Sequence, residues 1–308
     1  MAEPDDAIPP SFTVCGAMIG CRLDAYLSRT LGIGRGAARR LLEEGAVRVQ
    51  GRAVGIGDKG LSLGEGWTVQ VANPAHRPVP NPAMPLAVLA EGEGWIIVDK
   101  PAGVAVHPLR GDEDRTVLNA VVARYPQIIG VGEGGLRSGV VHRLDVETSG
   151  ALLFATTPSM WRRLREEFAS HRARKLYRAI VAGALVGSGD EAMDLVVGRH
   201  RPARVRVVRA AMCQRPAGAR RCRLSWRALR TLPNATLVEV MLHTGFLHQI
   251  RVMMAELGHP VLGDAVYGDA ASATRLMLHA SSLRAGPASA ISPDPPEFAA
   301  LLKAAGAQ

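Results

Sequence analysis

Apolar residues recur along this chain with two different periods, and the changes of period mark out its elements. Near the start, Leu23, Tyr26 and Leu27 share a helical face, as do Ala38, Leu41 and Leu42, which predicts two short amphipathic helices. Gly45 ends the second, and "AVRVQG" then alternates as a half-buried strand does. Farther on, "WIIVDKPAG" predicts a buried strand running into a turn, and "VLNAVVARYP" a helix stopped at Pro126. "SGVVHRL" and "ALLFATT" read as two strands. Thr157 before Pro158 makes an N-cap and first-turn pair, after which Met160 or Trp161, Leu164 and Phe168 fall on one face. "KLYRAIVAG" and "ATLVEVMLHTG" read as strands, and "LHQIRVMMAEL" as a helix closed by Gly258 and Pro260. Strands outnumber strand–helix–strand units, and no glycine-rich phosphate loop follows a strand. The expected class is α+β rather than doubly wound.

The periodicity breaks at Pro74 to Pro85, which holds five prolines in twelve residues. Proline fixes φ and removes a backbone donor, so the segment 73–86 is expected to be an extended linker. It would join a small unit, 12–72, to a large one, 87–308.

Composition narrows the class. Of 308 residues, 47% are apolar, enough for a sizeable core. No run approaches the roughly eighteen apolar residues of a membrane span. The acidic, proline-rich start lacks the basic head and apolar centre of a signal peptide, so a cytoplasmic protein with no membrane partner is expected. Cys15, Cys21, Cys213 and Cys222 fit neither zinc-knuckle nor redox spacing and are expected to be packing residues, so no metal is implied.

Charge changes the picture more. The net charge is +9, which favours a polyanionic partner. From Arg199 to Arg230 there are eleven arginines and no acidic residue. Within that run "ARVRVVRA" alternates, which on a strand puts Arg204 and Arg206 on one face and Val205 and Val207 on the other. A second basic cluster, "WRRLREEFASHRARKLYR", is softened by Glu166 and Glu167. Nucleic acid is the partner these stretches fit best, with an anionic membrane second.

The densest chemistry is "GVVHRLDVETSGALLFA", Gly139 to Ala155. If Gly139 to Asp145 is a strand, Val141, Arg143 and Asp145 share one face, and "VETSG" is the turn that follows. Thr148 and Ser149 can hydrogen-bond backbone there and stiffen the loop. A buried unpaired carboxylate is costly. Asp145 is therefore either half of a structural Arg–Asp pair or a nucleophile or base kept for a reaction.

The stretch His142 to Gly150, "HRLDVETSG", resembles the His-Arg-Leu-Asp-x-x-Thr-Ser-Gly signature of the RluA family of RNA pseudouridine synthases. "VDKPAGVAVHP", "KLYRAIVAG", "LHTGFLHQIRVMMAELGHPVLGDAVYGD" and "RLMLHASSL" resemble further family motifs in the family's order, over about residues 90 to 285. The N-terminal pattern, Arg22-Leu23-Asp24 and Gly45 to Gly51, resembles an αL-type RNA-binding module named after a ribosomal small-subunit protein. Gly34 and Gln50 replace its usual serine and asparagine.

The resemblance implies a pseudouridine synthase fold, with a mixed, largely antiparallel sheet and flanking helices. It implies isomerisation of uridine within RNA without a cofactor, large-subunit ribosomal RNA being the first expectation and tRNA the nearest rival. It assigns Asp145 as the catalytic residue. Tyr177 would stack on uracil and help remove the C5 proton. Arg251, read as one helical turn after His248, would pair with Asp145, and Leu278 would pack under the base; Arg143 joins the substrate-binding set. A monomer is expected. The long motif departs from its usual Gly-Arg-Thr-His-Gln-Ile-Arg-Val-His at Phe246, Leu247 and Met253, which touches target choice. Two other readings differ in class. One is an inactive RNA-binding or assembly factor. The other is a glycoside hydrolase, which needs two opposed carboxylates where only Glu147 lies near, and that residue is expected to point into its turn.

Overall fold

The computed structural model describes residues 11–31, 33–71, 77–200, 203–209 and 216–304. Calls on the linker's first residues, 73–76, and on Cys213 fall outside the described residues.

The N-terminal elements are β1 (Ser11–Thr13), α1 (Leu23–Thr30), α2 (Arg35–Glu43), β2 (Val47–Val49), β3 (Arg52–Val54) and β4 (Thr68–Val71). They form an antiparallel sheet of order β1-β4-β2-β3 with its own apolar core, in which Leu23, Tyr26, Leu27, Ala38 and Leu42 are buried. The helical faces read from the sequence are those that pack, except that Leu41 is only partly buried. The β2–β3 hairpin turns on Gln50 and Gly51, both at positive φ, as a two-residue turn of this hand requires. Gln50 adapts to that backbone by using its amide oxygen, which accepts from the N–H and hydroxyl of Thr68 at 3.0 and 2.9 Å. Residues 77–86 carry no helix or strand.

The second sheet has ten strands. In chain order its elements are β5 (Ala87–Gly92), β6 (Trp95–Lys100), α3 (Val117–Arg124), β7 (Ser149–Ala155), α4 (Pro158–Ala169), β8 (Arg174–Ala182), β9 (Ser188–His200) and β10 (Ala203–Val207). They continue with β11 (Arg220–Leu232), β12 (Ala235–Leu242), α5 (Gln249–Glu256), β13 (Leu278–Ala285), β14 (Ala288–Ile291) and α6 (Pro296–Ala304). The spatial order is β10-β9-β11-β12-β8-β13-β7-β6-β5, with β14 on β13. Every described pairing is antiparallel except β13 with β7, which is parallel. At that junction Gly150 has φ +114°, and a Cβ there would lie 2.3 Å from the Ala280 carbonyl oxygen, so the close approach demands glycine. The fold is α+β with a mixed sheet.

Three sequence expectations change. "SGVVHRL" is not a strand: only Val140 makes an isolated bridge, to Phe154. The neighbouring carbonyls are taken by α4 instead. Trp161 Nε1–H donates to Val140 O at 3.1 Å, and Arg165 donates to Val141 O at 2.8 Å. His142 Nε2 accepts the Leu153 N–H at 3.0 Å, and its ring stacks on Phe168. Second, His248 is not in the helix but precedes it with left-handed backbone, φ 53°. Third, Cys15 is exposed, while Cys222 is buried and Cys21 packs against the small core. Among the described residues no helix is long and apolar enough to cross a membrane.

Candidate active site

The middle strands of the large sheet, β8, β13 and β7, bring the site together. Asp145 lies in the loop entering β7, and its carbonyl accepts the Thr148 N–H at 3.1 Å, closing the turn. Its side chain keeps 22% of its surface exposed. The cation on it is Arg251 of α5, at 3.4 Å, and not Arg143, which is exposed. This removes the Arg143–Asp145 pinning pair as an account of the carboxylate. Although the residue as a whole is exposed, desolvation of its guanidinium by the surrounding protein, with the Arg137 charge, lowers the Arg143 pKa, and Asp145 is near enough to oppose this.

Arg251 holds a second carboxylate that the sequence reading missed. Its Nε and Nη2 donate to the two oxygens of Asp264 at 2.8 Å each, a bidentate pair in which Asp264 is fully buried. Burial raises the pKa of Asp264, but the Arg251 bonds and the N–H groups of Val266 and Tyr267 outweigh it and bring the pKa down. The guanidinium also lies 5.3 Å from the centre of the Tyr267 ring. Arg251 is thus held by Asp264 and by the Tyr267 ring before it reaches Asp145.

Tyr177 and Leu278 share the sheet face at this point. Leu278 pairs with Ala179 on β8, two residues from Tyr177, and both side chains are nearly buried. Burial, then the Asp145 charge, pushes the Tyr177 pKa well above that of an ordinary phenol. It therefore offers a neutral ring and hydroxyl rather than a phenolate base. Glu147 is exposed rather than turned inward, so the two opposed carboxylates of a glycosidase are not assembled here.

Two further groups shape the loop. Ser149 does not bond the local backbone as expected. Its hydroxyl meets His279 Nδ1 at 2.9 Å and accepts from Arg275 at 2.6 Å, tying β7 to β13. Lys100, with no exposed surface, donates to the carbonyls of Pro101, Val104 and Val146 at 2.8, 2.6 and 2.7 Å. Val146 follows Asp145 directly, so this ammonium anchors the carboxylate's loop. In the sequence this lysine closes an apolar run and opens the "KPAG" part of a family-like motif, but nothing there gave it a role.

Three carbonyls match the three N–H groups of an ammonium, whereas a neutral amine has only two. Burial brings the Lys100 pKa down to about 7, and Glu147 and Asp145 oppose it. Raising the pH through that value withdraws a bond from the loop, so kcat/KM on RNA is expected to fall above about pH 7. Lys175, which donates to Thr244 O, is brought by burial to about 8 and adds a later decline. A pH profile checks this: Lys100→Met should have lower activity throughout and lack the first decline.

A family model described as RNA pseudouridylate synthase matches residues 94–256. The chain belongs to the RNA pseudouridylate synthase family. The synthase is 36% identical over 260 residues to an uncharacterised RNA pseudouridine synthase of Synechocystis, covering 82% of this chain and 76% of that one. It is 35% identical over 274 residues to the ribosomal large subunit pseudouridine synthase D of Zymomonas mobilis, covering 86% and 83%. Human RNA pseudouridylate synthase domain containing 1 shares the fold, with a TM-score of 0.58 at 23% identity, over 70% of this chain and 86% of that one. The synthase is an isomerase acting on uridine in RNA, as the RluA-type motifs implied.

Proposed function

We propose that this synthase converts uridines of large-subunit ribosomal RNA to pseudouridine, with Asp145 as the catalytic carboxylate. The reaction exchanges the N1–C1′ bond for a C5–C1′ bond. C5 loses a proton and N1 gains one, so the balance calls for no oxidant or reductant. The observation that carries the reading is the unequal pair on Arg251: Asp264 is sealed, and Asp145 is open to an incoming nucleotide. Tyr177 supplies the ring beside it, with Leu278 under the base.

A uracil must leave its stack to reach Asp145, at a cost of a few kcal/mol. Phosphate contacts supply the opposing energy. We assign these to the N-terminal unit, 12–72, as an αL-type module joined by the 73–86 linker to the catalytic unit, 87–308, and to the arginine-bearing strands. On β10, Arg204 and Arg206 are exposed while Val205 between them is buried. Arg204→Ala/Arg206→Ala is expected to weaken RNA binding and to reduce the slope of log K against log salt by about 1 to 2. Binding titrations at several salt concentrations test this; an unchanged slope removes β10 from the interface. The ribosomal target itself rests on relatives named for the large subunit. It is tested by mapping pseudouridines in ribosomal RNA and tRNA with and without the gene. Loss confined to tRNA would redirect the assignment.

A further inference from the structure

The site also holds an imidazole whose proton position follows from its neighbours. His248 enters α5 with a left-handed backbone that side chains bearing a Cβ seldom adopt, a kind of strain that clusters at functional sites. Its Nδ1 lies 2.9 Å from the Tyr267 hydroxyl, and the two rings meet edge-on at 5.6 Å. That hydroxyl already accepts the N–H of Val205 on β10, at 2.8 Å. A tyrosine hydroxyl has one proton to give. Val205 N–H occupies one lone pair of the oxygen, and Nδ1 is the acceptor within reach of the hydroxyl proton; in that arrangement the proton of the neutral imidazole sits on Nε2. Burial lowers the His248 pKa; Asp145 and Asp264 oppose this and Arg251 reinforces it, which favours the neutral ring. Tyr267 also carries Arg251 against its ring, so one phenol orients both the guanidinium on Asp145 and the imidazole.

We propose that His248 binds substrate through its Nε2–H, donated to an acceptor oxygen of the flipped nucleotide beside Asp145, and that Tyr267 is the positioning residue that fixes this tautomer. The proposal rests on the reading of Asp145 as the reacting carboxylate. Asp145→Asn, assayed on the same RNA beside the wild type, is the control that separates failure of that reading from failure of this one.

Two substitutions separate the two ring nitrogens. His248→Gln can place an amide N–H near the Nε2 position while giving up Tyr267. His248→Asn can keep an acceptor for the Tyr267 hydroxyl and offers no donor at the far position. Conversion of a large-subunit ribosomal RNA transcript, followed by nucleoside chromatography, gives kcat and KM. The expected result is that His248→Gln retains kcat/KM to within about tenfold of wild type, with His248→Asn lower by a further tenfold or so. The opposite order, or wild-type rates for both, would mean that the ring serves only the Tyr267–Val205 tie, and the proposal fails. Transcripts made with 2-thiouridine or 4-thiouridine locate the acceptor. Loss of the Gln–Asn difference with one of them assigns the partner to that base carbonyl, and its persistence in both assigns it to the sugar–phosphate. A measurement that needs no variant is nitrogen-15 NMR of histidine-labelled synthase. A His248 ring carrying its proton on Nδ1 would overturn the assignment, and Tyr267→Phe should mix the two tautomers.

Discussion

Asp145→Asn is expected to reduce isomerisation by at least about 10³-fold while leaving the fold and RNA affinity in place. The amide has the shape of the carboxyl, and the turn bond from Thr148 N–H runs to the backbone carbonyl, which the substitution does not touch. Arg251 keeps its bidentate hold on Asp264, so no buried cation is left unpaired. What disappears is the negative charge and the nucleophile or base it provides. RNA binding should hold or rise slightly, because a carboxylate facing phosphates is removed. Tritium release from RNA labelled at uridine C5, beside a binding titration at matched salt, tests both halves. Release at the wild-type rate by a pure variant would end the role given to Asp145.

Arg251→Met is expected to cost about 3–5 kcal/mol of stability, because it strands the sealed Asp264 carboxylate without a cation. Urea unfolding measures this. The paired change Arg251→Met/Asp264→Asn removes both charges and keeps an amide oxygen for the N–H groups of Val266 and Tyr267, so most of the stability should return. Activity should not return, since Asp145 still lacks its guanidinium. A double variant that recovers turnover along with stability would show that Arg251 serves only the fold. Arg251→Lys is a further control: it keeps the charge but cannot make the planar bidentate contact, so it should fall between wild type and the methionine variant in stability.

The parts of this architecture legible in the sequence were those governed by local period and local capping. The helical stripes of α1 and α2, the Thr157–Pro158 start of α4 and the alternation of β10 depend on residues within a few positions of one another. The motif order brought Asp145, Tyr177, Arg251 and Leu278 forward for the same site, and the fold places Arg251 on Asp145 and Leu278 beside Tyr177. What stayed hidden depends on partners far along the chain. The apolar run before Asp145 reads as a strand, yet its carbonyls are claimed by Trp161 and Arg165, 21 and 24 residues on. Nothing near Lys100 announces that Val146, 46 residues away, needs its third proton. Asp264 looks like a loop acid until Arg251 is folded against it. His248 fits a helical reading because the period cannot register a reversal of φ at one residue.

The single parallel junction of the large sheet has a consequence for biosynthesis. Ser149 and His279 are 130 positions apart, and the strands they join cannot meet until β13 itself has been made. Until then a nascent chain has the aspartate's loop but not the strand that braces it, and such distant closures are slow to form. The aspartate's loop is thus among the first parts of the site to be made and among the last to be held in place.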